Sequence, residues 1–242
     1  MDIHVICAGA ARAAVSAAAN ACPDLEAFQF HYVSGPVGQL IKRIRGGEPA
    51  HILVLSRSGM ETLAKDNAVE TGSVSALGTT SVGLAVARGA DIPPLSDSTA
   101  LCQFLRQAST LSYGDPAEGD SSGTHFRSVL ALLGLEPEMA SKTVLAHSGV
   151  DVVRKVAAGA ADVGATQVSV IRAHPEVALA GALPADLQKY TTYCIGIPTG
   201  LSTSNLAGAI EVADQLTGTQ ARSVYAQLGL EQPDNLTRRK HS

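Results

Sequence analysis

Residues Ser34–Ser56 read SGPVGQLIKRIRGGEPAHILVLS. Ser34-Gly35-Pro36 opens a helix, with Pro36 at its first position, where a missing N–H and a fixed φ do no harm. Val37, Leu40, Ile41 and Ile44 recur at i, i+3, i+4 and i+7, one apolar face of a 3.6-residue period. Gly46-Gly47 stops that helix, and Ile52–Leu55 follows as an apolar run of strand length.

The same rhythm spreads outward in both directions. Upstream, Ile3–Cys7 reads as a strand broken by Ala8-Gly9, Ala10–Ala21 as an Ala-rich helix and Phe28–Val33 as a strand. Downstream, Gly83–Val86 is a strand, and Ser96-Asp97 starts a helix carrying Leu101, Phe104 and Leu105. Leu111–Tyr113 is a strand, and Ser122–Leu133 is a helix with Phe126, Val129, Leu130 and Leu133 on one face. Thr143–Ala146, Val163–Thr166 and Thr191–Ile197 read as strands. Val150–Ala158 reads as a helix ended by Gly159, and two last helices lie around Leu206–Leu216 and Gln220–Leu228. Alternating strands and helices predict an α/β fold with largely parallel sheets. No fixed-period repeat and no low-complexity linker separates domains. Two domains would therefore exchange the chain inside their sheets.

Composition narrows the function classes. The chain has 242 residues, 45% hydrophobic and 17% charged, which is enough for a real core. Aromatics are 4% and Trp is absent, so the core is Ala, Val, Leu and Ile. The net charge is -4, and the longest run of basic residues lies in TRRKHS, residues 237–242, read as a solvated end. A nucleic-acid partner would need a basic stripe, so none is expected. Cys7, Cys22, Cys102 and Cys194 form no CxxC pair and no Cys/His ligand spacing; the expectation is buried, reduced thiols and no metal. No cofactor is expected: GxxxxGK[ST], a GxGxxG after the first strand and the G-x-S-x-G elbow are all missing. No run of 18 apolar residues exists, so no membrane span is expected. MDIHVICAGA carries no basic n-region and no long apolar h-region, which reads as cytoplasmic, or as periplasmic if a leader was removed.

In open α/β sheets, ligands sit beyond the carboxyl ends of the strands. The segments there are Ala8–Arg12, Ser34–Val37, the loop GDPAEGDSSGTHF at 114–126, His147–Val150 and Thr166-Gln167. Several end in Gly or a small hydroxyl residue at a helix start, where unpaired N–H groups and partial positive charge favour an anion. The ligand-binding candidates are Arg12, Ser34, Val37, Ser122, Gly123, Thr124, Ser148, Gly149 and Gln167. Arg12 is a cation that could meet a carboxylate or a sulfate-like ligand. His125, His147 and Asp115 are the candidate bases. The competing readings are ordinary ones: helix caps, a surface arginine, bystander histidines and an Asp-Pro turn starter.

These segments resemble the molybdate-binding-type branch of the periplasmic (type II) solute-binding proteins. The likeness runs from about residue 3 to about 230. It is carried in order by SGPVGQLIKRIRGGEPAHILVLS, VGLAVARGADIPPLSD, DPAEGDSSGTHF, VRKVAAGAADVGATQVSVI and ALPADLQKYTTYCIGI. The resemblance implies two α/β lobes with a ligand cleft between them, lobe I being 1–81 plus 194–242 and lobe II 82–193. Crossing segments near Ser81–Val86 and Thr191–Ile195 would form the hinge, and a transporter or sensor would be the partner. The sequence also departs from the family pattern. Ala10 stands where molybdate binders carry a serine, their second serine falls near Pro36 or Val37, and Pro49-Ala50-His51 replaces Pro-Ala-Asp. With Arg12 added, a small di- or tricarboxylate fits better than a molybdate-like oxyanion. One relative of the family is an enzyme, aconitate isomerase. The alternative expectation is therefore a cytoplasmic isomerase that shifts a proton on a small polycarboxylate.

Overall fold

The structure, a computed structural model, describes residues 1–92 and 94–232, so the basic end at 237–242 lies outside the described residues. The chain divides into two compact units, Met1–Thr79 with Thr191–Ser242, and Thr80–Tyr190. The first unit opens with β1 (Asp2–Ala8), α1 (Gly9–Ala21), β2 (Gln29–Gly35), α2 (Val37–Arg45), β3 (Ile52–Ser56) and α3 (Arg57–Lys65). The strand β4 (Ser75–Ala87) carries the chain into the second unit. There follow α4 (Ser98–Gln107), β5 (Leu111–Gly114), α5 (Ser121–Leu132), α6 (Glu136–Ala140), β6 (Thr143–Ala146) and α7 (Gly149–Ala157). That unit closes with β7 (Val163–Gln167), α8 (Val168–Arg172) and β8 (Val177–Ala182). Then β9 (Tyr190–Gly196) returns the chain to the first unit, which ends with α9 (Thr203–Thr217) and α10 (Thr219–Gln227).

The period of two along each strand divides the first unit into two cores. Ile3, Val5, Cys7, Ile52 and Val54 pack with Val15, Ala18, Val212, Leu216 and Tyr225 of α1, α9 and α10. Ile6, Leu53 and Leu55 point the other way, onto Leu40, Met60 and Leu63 of α2 and α3. The buried face of α1 is Ala11, Ala14, Val15, Ala18 and Ala19, small enough to bring the helix close to the sheet. In the second unit, Leu101, Leu105, Phe126, Val129 and Leu130 cover Leu84, Leu111 and Ala165.

The sheets are mixed rather than largely parallel. β1 runs parallel to β2 and β3, and β5 parallel to β6 and β7. β9 runs antiparallel to β3, and β4 antiparallel to β7 and β8. The two strands that carry the chain between units are thus the ones that oppose their neighbours. β4 begins at Ser75 rather than Gly83. Its first half, SALGTTSV, lacks a strand-like apolar pattern because Gly78 lies against another backbone: a Cβ there would meet the Leu230 carbonyl oxygen at 2.8 Å. Pro36 is the N-cap of α2, with ψ 141°, and Val37 is the first helical residue. Cys7, Cys22 and Cys194 are buried as expected, Cys102 is only half-buried, and all are free thiols.

Candidate functional site

In the first unit, β1 and β2 stay in register to their carboxyl ends, where Ala8 pairs with Gly35. The helices that follow, α1 and α2, therefore begin side by side. Their N-caps are Ala8 and Pro36, neither of which supplies a side-chain hydrogen bond, and neither helix has an acidic residue in its first turn. The positive ends of both helices thus carry no side-chain counter-dipole. Arg12 sits in the first turn of α1, its guanidinium carbon 3.5 Å from the centroid of the Tyr32 ring of β2. Among the described residues that guanidinium makes no ion pair and no hydrogen bond. Stacking on Tyr32 fixes the plane of the guanidinium.

Tyr32 is the platform. Burial pushes its phenol up, and the nearby Arg12 charge pulls it partly back. Among the described residues its buried hydroxyl has no partner within hydrogen-bond geometry, although Ser16 is close enough to lower its pKa. Ser34 is exposed at the end of β2, opposite Cys7. Val37 is half-buried at the start of α2, against α3: a Cβ on Gly59 would meet its methyl at 2.7 Å.

The second unit places its loops after β5, β6 and β7 at one end of a parallel trio. There the donors are largely used internally. Asp120 is the N-cap of α5, and its Oδ1 accepts from the Gly123 N–H and the Ser122 hydroxyl, both at 2.7 Å. The Thr124 hydroxyl donates to the Asp120 carbonyl at 2.8 Å. Ser122 and Gly123 are buried, and a Cβ on Gly123 would lie 1.7 Å from the Gly114 carbonyl oxygen. The loop at 114–126 is therefore folded tightly around its own carboxylate.

Asp115 accepts from the Ala117 N–H at 2.8 Å, and its own N–H donates to the Ala146 carbonyl at 2.7 Å. Its observed role is to start the turn at Pro116–Glu118. The His125 Nε2–H donates to the Leu187 carbonyl at 2.8 Å, which fixes that ring within the unit. His147 is exposed, with Nδ1 3.1 Å from Glu118 Oε1. Among the described residues, no hydrogen bond joins Asp115 to either histidine.

The start of α7 differs from that of α5. Ser148 accepts from the Asp151 N–H at 3.3 Å, while Asp151 accepts from the His147 N–H at 3.0 Å. Lys155 and that amide together hold the Asp151 carboxyl below its usual range against the opposing effect of burial. Beneath this terminus lies Thr166, 1% exposed, whose hydroxyl has no partner among the described residues. A Cβ on Gly149 would sit 2.3 Å from that hydroxyl oxygen, so the two face each other directly. Gln167 is buried at the N-cap of α8 and bonded within the fold.

The structure thus brings Arg12, Val37 and Ser34 to one rim of the first unit. It gathers Ser122, Gly123 and Thr124 around Asp120, and Ser148 and Gly149 over Thr166. Residue-by-residue reading missed Asp120 and Tyr32. Asp120 was recoverable from its place three residues before Gly123, the spacing of an Asp N-cap. Tyr32 carried no local signal, because its pairing with Arg12 depends on strand register. Among the described residues, no three His, Cys, Asp or Glu side chains are grouped so as to hold a metal ion. No helix among them is long and apolar enough to cross a membrane.

The fold and these helix-terminus loops define a type II periplasmic-binding-protein-like chain. It belongs to the bacterial extracellular solute-binding protein family, whose profile matches residues 3–231. A periplasmic molybdate-binding protein of Azotobacter vinelandii shares the fold, with a TM-score of 0.79 at 19% identity, covering 96% of this chain and 99% of that one. The sulfate-binding protein SubI of Mycobacterium tuberculosis H37Rv gives 0.70 at 15%, over 99% of this chain and 90% of that one. An aconitate isomerase from a Pseudomonas species is 30% identical over 153 residues, 62% of this chain and 56% of that protein. The match thus spans about half the length of that relative.

Proposed function

We propose that the chain binds a small di- or tricarboxylate as a solute-binding protein. The observation that carries this reading is Arg12, a cation with no counter-ion among the described residues, laid on Tyr32 beside two helix starts that lack side-chain caps. A planar guanidinium matches a carboxylate through two parallel N–H···O bonds. Helix termini alone would suffice for a fully ionised oxyanion; the added cation favours carboxylate over a molybdate-like ligand. The partner is a membrane transporter or a sensor, and the extracellular family fits a periplasmic location better than a cytoplasmic one.

A second reading, an isomerase moving a proton on a polycarboxylate such as aconitate, is favoured by the likeness to the Pseudomonas enzyme. His147 is then the best base, because Glu118 orients its ring as carboxylates orient catalytic imidazoles.

The test is thermal unfolding against molybdate, tungstate, sulfate, phosphate, citrate, both aconitates and short dicarboxylates. A ligand at 100-fold its Kd adds about 2.7 kcal/mol, which is roughly 5–10 °C for a chain of this size. Shifts with polycarboxylates are expected. A shift with molybdate and tungstate only would overturn the proposal. Proton NMR of the aconitate samples separates binder from isomerase, since only an enzyme interconverts the isomers.

A further inference from the structure

We propose that His31, His4 and His51 form an acid-sensitive latch at the N-terminal edge of the first unit's sheet, away from the Arg12 rim. His4 of β1 is the register partner of His31 of β2. The residue preceding β3, His51, donates its N–H to the His4 carbonyl at 2.8 Å. The rings form a stack, His4 lying 5.1 Å from His31 and 5.6 Å from His51, with interplanar angles of 23° and 25°.

The two ends of the stack are held by different hydrogen bonds. At one end, His51 Nδ1 accepts the backbone N–H of His4 at 3.0 Å. An imidazolium carries a hydrogen on both nitrogens and cannot accept there. The bond therefore exists only while His51 is neutral, with its proton on Nε2. At the other end, His31 Nε2 donates to Asp2 Oδ1 at 3.0 Å. Asp2 is held below its ordinary carboxyl value mainly by this contact, with smaller contributions from the Met1 amino group and His4. Burial, and next the neighbouring His4, lower the His51 pKa from its ordinary 6.5, while Asp2 pulls weakly the other way.

The direction of the pH effect follows. A folded-state pKa lowered below the unfolded value gives stability that is present above 6.5 and lost as pH falls through the folded value. On that descent the His4 amide loses its acceptor. The His51 ring, stacked on His4, then carries a positive charge, and the β1–β3 pairing at this end loosens. The rim at Ala8–Arg12, at the far end of β1, is not part of this event.

The experiment is an NMR titration of the histidine ring protons in the intact chain from pH 8 to pH 5, with amide exchange of His4 corrected for its intrinsic rate. Denaturant midpoints are compared for wild type and His51→Asn, because the Asn Oδ1 can accept the same N–H and does not titrate. His51 is expected to titrate below 6.5, and His4 protection to fall severalfold through the same range. The Asn variant should keep both its protection and its midpoint. Titration of His51 at or above 6.5, or an equally steep loss of midpoint in the variant, would overturn the latch. If the variant does not fold, the wild-type titration and exchange decide alone.

Discussion

The α1 and α2 starts of the first unit and the α5 start of the second are built from the same kinds of small residues, yet they are in different electrostatic states. Asp120 caps α5, so Ser122 and Gly123 already serve a carboxylate of the chain itself. Ala8 and Pro36 cap nothing with their side chains, and the nearby Arg12 has no carboxylate partner among the described residues. A helix start rich in Gly and Ser is an anion site only when the chain has not filled it. The α7 start lies between these cases: Ser148 caps it, but the Thr166 hydroxyl beneath Gly149 has no partner among the described residues.

That contrast can be broken by substitution. The largest loss of stability is expected for Gly123→Ala, because its Cβ would land 1.7 Å from a backbone oxygen that cannot swing away. Overpacking of this kind costs about 3 kcal/mol, or roughly 6–12 °C in a melting curve. An unchanged midpoint would mean the loop at 114–126 is not closed around Asp120. Asp120→Ala should come next, at about 2 kcal/mol, since it removes the cap and leaves Ser122 and Gly123 without their acceptor. Its polycarboxylate affinity should equal that of wild type. Tighter binding in that variant would mean that α5 is a latent anion site and the contrast is one of degree. Tyr32→Phe should change stability by less than about 0.5 kcal/mol and keep ligand affinity, since the ring carries the Arg12 stack and the lost hydroxyl has no partner. Loss of binding there would move the hydroxyl itself into the site.

A smaller effect concerns the thiols. Burial pushes the Cys7 thiol up to about 12, whereas Cys102 is half-buried on α4. Iodoacetamide at pH 8 is expected to label Cys102 well before Cys7, followed by mass spectrometry of the peptides. Equal labelling would mean that the β1 core opens readily.

Much of the architecture was written in periodicity. The stripe Val37, Leu40, Ile41 and Ile44, and the apolar runs at Ile3, Ile52 and Leu111, mark elements that owe their burial to local pattern. The parts that stayed hidden depend on partners distant in sequence. The first half of β4 reads as a Gly/Ser/Thr loop because its packing is backbone on backbone at Gly78. The strand β8, VALAGA, is too small in its side chains to announce itself. The antiparallel direction of β9 comes from the route by which the chain returns to the first unit, not from its residues. At the candidate site, the positions of the helix starts were legible in the sequence. What was not legible is which termini the chain fills itself, because capping by Asp120 and stacking on Tyr32 are matters of geometry.

The most direct measurement is calorimetric titration of wild type and Arg12→Ala with trans-aconitate, citrate and molybdate at one salt concentration. If Arg12 is the carboxylate anchor, wild type binds a polycarboxylate, and the variant binds it roughly 10- to 100-fold more weakly, the worth of a charge-assisted hydrogen-bonded pair. The variant's melting point should fall by no more than about 4 °C, the loss of one stacking contact. Equal polycarboxylate affinity in the two proteins, or tight binding of molybdate alone, would contradict that role for Arg12.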